Sequence, residues 1–221
     1  MVYLLFFAIS LISYLVQNSL TKKFEKYSRV PLNFTGAQVA QMMLSNNGIN
    51  DVAVRPTAGS LTDFFDPTSH TVNLSESVYN RNTVAAAAVA AHECGHAVQH
   101  RVGYSMLVLR TKLVPVVSFA SKWVTWILLG GILVFEFFPY LLGVGVVLFV
   151  LTSLFSVITL PVEVDASRRA VKWLETAGIT QGQTTDYARD ALKAAAYTYV
   201  VAALSSLATL FYYARVFFNR N

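Results

Sequence analysis

The sequence has 221 residues, of which 55% are hydrophobic and 13% are charged, and its mean hydropathy is +0.50. Soluble globular proteins carry about 25% charged residues, so this composition excludes an ordinary soluble domain and indicates a membrane protein. The net charge of +5 is explained by basic residues flanking apolar segments, and no nucleic-acid partner is expected.

Four apolar blocks cover residues 2–16, 123–138, 140–160 and 194–213. A helix needs about 20 mainly apolar residues to cross a bilayer, so the blocks predict about four transmembrane helices. The first block, VYLLFFAISLISYLV, has no basic segment before it and no small-x-small cleavage site after it. This pattern predicts a retained anchor rather than a cleaved signal peptide.

The basic residues predict the orientation of these helices. Of the 17 Lys and Arg residues, 15 lie between the first and fourth blocks, and the tip between the second and third blocks has none. By the positive-inside rule both termini lie outside, and the long segment after the anchor is cytoplasmic. The single cysteine, Cys94, fits a reducing compartment. We therefore expect a multi-pass protein, in the plasma membrane of a prokaryote, whose active site faces the cytoplasm.

The predicted organisation has five parts, divided where composition changes. They are an N-terminal transmembrane anchor (1–21), a cytoplasmic catalytic region (22–112), a transmembrane hairpin (113–160), a cytoplasmic helix (161–193) and a C-terminal transmembrane helix with a short tail (194–221). Pro161 is expected to begin the cytoplasmic helix, because proline suits the first helical turn.

The region before the histidines predicts one helix and a small sheet. Thr35 and Gln38 form a capping-box pattern at the start of TGAQVAQMML, which Gly48 can end. Apolar alternation predicts short strands over residues 61–65 and 71–74, parted by Asp-Pro. We expect these strands to form a small antiparallel sheet.

The Ala-rich segment TVAAAAVAAHECGHAVQHRV predicts a helix capped by Asn82 or Thr83. His92 and His96 are four residues apart, so on a helix they share one face about 6 Å apart along the axis, a spacing at which two imidazoles can bind one zinc ion. Glu93 is then expected to act as general base on a metal-activated water. The alternative is a polar helix face whose histidines are only solvated or hydrogen-bonded.

The third ligand of this predicted zinc ion is not in the same motif. His100 would lie about 12 Å from His92 along the helix axis, so it is expected to orient a ligand or to lie at an interface. Glu163 follows the third apolar block, where the hairpin returns the chain to the side of the histidines. This topology favours Glu163, with Asp165 as the alternative ligand. A carboxylate that only stabilises a helix start is the competing interpretation of Glu163.

HECGH on an Ala-rich helix, two hydrophobic spans and PVEVDASRRA together resemble the YugP-type membrane zinc metallopeptidases, also called neutral zinc metallopeptidases. LTDFFDPTSHTVNLSESVY and NTVAAAAVAAHE extend the resemblance over most of the chain. It implies one zinc ion per chain and hydrolysis of peptide bonds in a protein or peptide substrate at the bilayer. The implied architecture is a mainly α membrane protein with a zincin-like α+β catalytic part. The implied enzyme class is a gluzincin-like metalloendopeptidase.

A more distant similarity connects the chain to the HtpX and CAAX prenyl proteases, in which a Glu-x-x-Ala-Asp signature follows the hairpin. This similarity implies that Glu163 is the third ligand and that Ala166 is the signature alanine. The sequence departs from the signature at Ser167, which replaces a carboxylate that would orient a ligand histidine. Ser167 itself or Asp165 is expected to supply this orienting contact.

In zinc proteases of this kind, the strand before the zinc helix commonly forms an edge that receives an extended substrate. We expect this role for Thr71, Val72, Asn73 and Leu74. His70, Arg168 and Arg169 are the candidates for stabilising the oxyanion.

Two other functions are compatible with the same residues. A zinc-binding scaffold or regulator would bind the metal without turnover. A metal transporter is less favoured, because transport needs ionisable groups inside the spans and only Glu136 and Lys122 approach that location. The sequence does not predict an oligomeric state.

Overall fold

The computed structural model describes residues 2–220, with side-chain surroundings for residues 4–219. Its elements are α1 (Val2–Tyr27), α2 (Gly36–Asn46), β1 (Ala53–Thr57), β2 (Phe64–Asp66), β3 (Thr71–Ser75), α3 (Glu76–Tyr79), α4 (Val84–Arg101), α5 (Ser105–Leu133), α6 (Pro139–Thr176) and α7 (Gln183–Arg220). Met1 and Asn221, the ends of the predicted anchor and tail, lie outside the described residues. The chain is mainly helical with one small sheet.

Four helices are long and apolar enough to cross a membrane. The candidate spans are Leu4–Tyr27, Ser105–Leu133, Pro139–Thr176 and Gln183–Asn219. Their large apolar side chains point outward, with Phe7 67%, Trp126 70% and Phe211 69% exposed. Apolar surface of this extent requires an apolar solvent, and the chain is accordingly a membrane protein with four candidate spans.

The prediction that Pro161 begins a new helix is wrong. Pro161 lies inside α6, which continues without a break from Pro139 to Thr176. Proline removes one backbone hydrogen bond, but α6 packs against α4, α5 and α7. This packing offsets the lost hydrogen bond. Glu163 therefore lies within a continuous helix, and not at a helix start where the dipole alone would stabilise its charge.

The predicted antiparallel pairing is confirmed for β2 and β3, but a further strand, β1, makes the sheet mixed. β1 pairs with β3 in parallel, from Ala53 with Thr71 to Thr57 with Ser75, whereas β2 pairs with β3 in antiparallel orientation. A tight turn after β2 causes this arrangement: the carboxylate of Asp66 accepts hydrogen bonds from Thr68 N (2.8 Å) and Ser69 Oγ (2.7 Å). β2 then occupies one edge of β3, so β1 can pair only at the other edge. The strand order is β1-β3-β2.

The sheet order overturns the expectation that Thr71, Val72, Asn73 and Leu74 form an edge. These residues belong to β3, which is the central strand and is paired on both sides. A strand with both edges occupied has no free N–H or C=O groups to pair with a substrate strand. The edge on the site's side of the sheet is β2.

The core outside the membrane forms around α4. Its first two turns carry fully buried alanines, Ala85 to Ala88, and the small side chains let α2, α3 and α6 approach closely. Thr83 is the N-cap, and its hydroxyl accepts a hydrogen bond from Ala86 N. The capping box of Thr35 and Gln38 is confirmed at the start of α2.

A polar cluster joins α1 to α7. Asp190 accepts hydrogen bonds from Lys23 Nζ (2.7 Å) and from Tyr27 Oη (2.6 Å). The ring of Tyr27 stacks on Tyr187 with centroids 4.9 Å apart. These contacts fix the N-terminal helix beside α7 and complete the four-helix arrangement that surrounds the end of α4.

Candidate metal centre

The site begins with a close approach of α4 and α6 at Gly95. A Cβ atom on Gly95 would lie 2.7 Å from the backbone oxygen of Ala166, a separation that real Cβ atoms do not adopt. Glycine at this position therefore permits the contact between the helices. The contact places Glu163 and Ser167, on either side of Ala166, beside the histidines of α4. Sequence analysis gave Gly95 no role, although it lies in the centre of the histidine motif.

His92, His96 and Glu163 form the candidate ligand set. Oε2 of Glu163 lies 3.2 Å from Nε2 of His92 and 3.5 Å from Nε2 of His96. One ligand atom from each residue lies within 4.8 Å of the other two. The three side chains are only 14%, 11% and 3% exposed.

This donor set fits a zinc ion. Ligand atoms held tetrahedrally at about 2.0 to 2.2 Å from zinc lie about 3.3 to 3.6 Å from one another, and the histidine-to-Glu163 separations of 3.2 Å and 3.5 Å are close to that spacing. Two neutral imidazoles and one buried carboxylate are also the chemical types that zinc prefers in three-ligand sites. A pair of histidines on one helix face, merely solvated, would not need a buried carboxylate at this distance.

Glu93 lies beside this set and is held by the sheet. Its Oε2 accepts a hydrogen bond of 3.1 Å from the backbone N–H of Phe65 in β2. Burial raises the pKa of Glu93, while the neighbouring His92 and His96 lower it by a smaller amount. Oε2 is thus anchored, and the other carboxylate oxygen, Oε1, is the one left to face the cavity that Glu93 lines.

Gln99, which sequence analysis missed, supports His96. The fully buried amide donates from Nε2 to the carbonyl of Val162 (2.8 Å) and to Oδ2 of Asp165 (2.9 Å). Both partners only accept, so Oε1 is the atom that faces Nδ1 of His96 at 3.0 Å. Gln99 follows His96 by three residues and so shares its helix face, a spacing that could have identified it.

Ser167 supports His92 in the same manner. Its Oγ lies 3.1 Å from Nδ1 of His92, so the residue at the position of the signature aspartate contacts a ligand histidine. Asp165, the alternative ligand, instead accepts hydrogen bonds from Gln99 and from Arg169 Nε (2.6 Å). Asp165 therefore acts on His96 through Gln99, and does not belong to the three-residue ligand set.

His100 does not orient a ligand. Its side chain is exposed, and its ring packs near Phe65 at 5.8 Å and near His70 at 6.4 Å between centroids. It lines the cavity in front of the site. Of the three residues expected to orient ligands, Ser167 and Asp165 are in position and His100 is not.

The three candidates for stabilising an oxyanion lie elsewhere. His70 pairs with Asp51 at 3.3 Å, and Arg169 is bound to Asp165. Arg168 is exposed on the far side of α6, where it lines a different groove.

Two residues that the sequence did not indicate lie beside the candidate ligands. Arg110 of α5 lies with Nη1 3.4 Å from Oε1 of Glu163, and Tyr199 of α7 lines the cavity beside the ligands. They come from helices distant in sequence, so no local pattern indicates them.

A cleft opens above the ligands. Its volume is about 430 Å³, and its walls are β2 on one side and the start of α5 on the other. Phe64 and Phe65 line the first wall, and Leu107 and Val114 line the second. A smaller cavity of about 180 Å³ extends from the same ligands toward α7. A segment of polypeptide in the cleft would pass directly over His92, His96 and Glu163.

Comparisons with known proteins agree with this geometry. A family profile described as "Putative neutral zinc metallopeptidase" matches residues 2–218. The chain is 43% identical over 210 residues to "Putative membrane protease YugP" of Bacillus subtilis (strain 168). The matched region covers 94% of this chain and 92% of that protein. No solved structure matches the chain significantly. The chain therefore belongs to the family described as "Putative neutral zinc metallopeptidase".

Proposed function

We propose that this membrane protein is a zinc-dependent endopeptidase in which His92, His96 and Glu163 hold the ion and Glu93 is the general base. The observation that carries the proposal is the convergence of the three ligand atoms within 4.8 Å, with the carboxylate of Glu93 beside them. When bound, zinc supplies a Lewis acid that acidifies water and polarises a carbonyl group.

The geometry of Glu93 suits proton transfer. The Phe65 N–H fixes Oε2, so Oε1 is positioned to take a proton from water and later return it to the amine of the leaving peptide. Burial raises the pKa of Glu93, which favours uptake of the proton by this carboxylate. Glu93 therefore acts as base and then as acid, without leaving its place beside β2.

The supporting residues hold the ligand histidines in one tautomer. Gln99 accepts from Nδ1–H of His96, and the Ser167 hydroxyl contacts Nδ1 of His92 and can accept from its N–H, which would leave both Nε2 lone pairs free to hold the ion. Arg110 offsets part of the negative charge of Glu163. Arg110 and Tyr199 are also the residues that we place beside the carbonyl oxygen of the substrate, where they would stabilise developing negative charge.

The substrate is proposed to be an extended segment of protein. β2 pairs with β3 along one edge, and its other edge borders the cleft. An extended peptide can add to such an edge through main-chain hydrogen bonds, with its side chains against the apolar wall of α5. The Phe65 N–H is bound to Glu93, so we place this pairing on the remaining main-chain groups of the edge. The role that sequence analysis gave to β3 thus moves to Phe64–Asp66.

The active site is proposed to face the cytoplasm, with both termini outside. The α5–α6 turn, which lacks basic residues, lies at the opposite end of these helices from the ligands. Protease protection of terminal tags in sealed right-side-out vesicles tests this orientation: external protease should remove both tags, and protection of either tag would contradict it.

Glu93→Gln is the variant that tests the function. We expect wild-type protein in detergent to contain one zinc ion per chain and to cleave an unstructured polypeptide. The variant should keep its zinc, since Glu93 is outside the ligand set, and lose at least about a hundredfold in cleavage rate. Glu25→Gln, an exposed change of the same kind on α1, is the matched control. Unchanged cleavage by a zinc-loaded Glu93→Gln protein would exclude Glu93 as the base.

Removal of zinc separates the peptidase from a non-catalytic scaffold. A chelator should abolish cleavage and added zinc should restore it, because the three ligands hold an ion that the reaction needs. A scaffold predicts zinc binding with no chelator-sensitive cleavage in any substrate. A protein that binds no zinc at all would contradict both functions.

A further inference from the structure

A second groove lies between α6 and α7, on the other side of Ser167 from the catalytic cleft. Its volume is about 520 Å³, and it is lined by residues of these two helices only. Ser167, Leu192 and Ala196 line both this groove and the small cavity behind the ligands. The groove is therefore adjacent to the metal centre, but the proposed reaction does not use it.

Basic side chains surround the groove. Arg168 and Lys172 come from α6, and Arg189 and Lys193 come from α7, while Glu175 is the acidic residue in the lining. All four basic side chains are exposed. The groove therefore presents a concentrated positive potential to anything that approaches it.

Two of these cations contact partner side chains within the protein. Arg189 pairs with Asp186 at 2.6 Å, and Lys193 lies 5.9 Å above the ring of Tyr197. Within the part of the chain that the structure describes, Arg168 and Lys172 form no ion pair with a carboxylate. Arg168 and Lys172 thus leave positive charge on the α6 side of the groove, which Glu175 on the same helix offsets only in part.

The groove changes from apolar to charged along its length. α6 and α7 run in opposite directions, so Val164 and Val200 lie at one end and Lys172 and Arg189 lie at the other. The distance from Val164 to Glu175 corresponds to about 16 Å of helix. The apolar end is open, with Val164 37% and Tyr197 46% exposed, and it continues into the most apolar parts of both helices.

We propose that this groove binds an anionic phospholipid, with the phosphate between the basic side chains and the first part of an acyl chain against Val164, Tyr197 and Val200. Charge complementarity supports an anionic headgroup, since basic residues at a membrane surface attract acidic lipids. The apolar end, directed toward the membrane-spanning parts of both helices, supports a lipid over a soluble phosphate. Binding of the lipid does not depend on the proposed peptidase function.

The test measures lipid binding to the full chain in nanodiscs of phosphatidylcholine. Phosphatidylglycerol is titrated in, and the lipid retained by the protein is counted by native mass spectrometry after release. The variant is Arg168→Gln/Lys172→Gln. The matched control is Lys22→Gln/Lys112→Gln, which removes the same charge from exposed positions outside the groove. Zinc content and melting temperature, measured in parallel, show whether each variant is folded.

We expect wild-type protein to retain phosphatidylglycerol in preference to phosphatidylcholine. The groove variant should lose between about fivefold and thirtyfold in affinity, as expected for two basic residues at a membrane surface, and the control should lose less than about twofold. Equal losses in the groove variant and the control would overturn the proposal, since they would show only general attraction to the membrane.

Competition with free phosphate distinguishes a site for a whole phospholipid from a site for a phosphate group alone. Millimolar inorganic phosphate should not displace the bound phosphatidylglycerol, because the apolar end of the groove contributes to the affinity. Full displacement would show that the groove binds phosphate and no lipid. Absence of a preference for phosphatidylglycerol would show that the groove binds no anionic lipid. Either result overturns the proposal. If the groove variant unfolds, Arg168→Lys and Lys172→Arg, which keep the charge, must retain the lipid.

Discussion

Oε1 of Gln99 lies 3.0 Å from Nδ1 of His96, and the two acceptors around Nε2 of Gln99 exclude the opposite orientation of the amide. An oxygen at this position can only accept, so Nδ1 of His96 must carry the proton. Nε2 then presents its lone pair toward His92 and Glu163. The tautomer of one candidate ligand is therefore set by an amide that is anchored to α6.

Gln99→Leu should weaken zinc binding by about 10- to 100-fold, the usual effect of removing a partner that orients a metal ligand. Leucine has a similar volume, but it leaves Nδ1 of His96 and the carboxylate of Asp165 without the amide. Competition with a fluorescent zinc chelator measures the affinity. Gln181→Leu, an exposed change of the same type, is the control. Equal affinities in the two variants would show that the tautomer does not depend on Gln99.

Glu163→Gln and Asp165→Asn should differ in zinc content. Glu163 supplies an oxygen to the ligand set, so its amide should lower zinc affinity by more than about a hundredfold, above the range for residues that only orient ligands. Asp165 contacts Gln99 and not the ligand set, and its amide should remain within that range. Metal analysis after dialysis against a weak chelator measures both. A zinc-free Asp165→Asn protein together with a zinc-loaded Glu163→Gln protein would reverse the assignment.

Ser167→Ala should lower zinc affinity by about tenfold, because Nδ1 of His92 loses its hydroxyl partner. Ser167→Thr keeps the hydroxyl and should recover most of the loss. The affinity is measured as for Gln99. If both variants lose the same amount, the serine acts through packing and the hydrogen bond has no role in orienting His92.

Gly95→Ala should destabilise the protein and empty the metal site together. The added methyl group would lie 2.7 Å from the backbone oxygen of Ala166, so α4 and α6 must separate, at a cost of about 1 to 3 kcal/mol. Gly130→Ala is the control, since the nearest atom to its added methyl lies 3.7 Å away and alanine favours a helix. Thermal melts and zinc content measure both effects. A Gly95→Ala protein with wild-type melting temperature and zinc content would contradict the close contact.

Much of the fold could be predicted from local pattern. The four apolar blocks, the capping box of α2 and the Thr83 cap of α4 each depend on residues close together in sequence, and each is confirmed. The parallel pairing of β1 could not be predicted, because a strand's partner depends on which edge the neighbouring turn leaves free. The continuity of α6 through Pro161 depends on packing against α4 and α7, which local helix rules do not contain.

The sequence by itself determined the chemistry of the candidate site: two histidines on one helix face with a glutamate between them, and a short set of carboxylates from which the third ligand had to come. Helical periodicity is sufficient to place the two histidines on one face, because their relative position depends only on the four peptide units between them. The sequence favoured Glu163 over Asp165, and the tertiary structure brings Glu163 into the candidate ligand set and Asp165 to Gln99. Only the tertiary structure identified Gln99, Arg110 and Tyr199 beside the ligands. These residues meet because α4 and α6 touch at Gly95, and a contact between helices about 70 residues apart is decided by the packing of the whole chain.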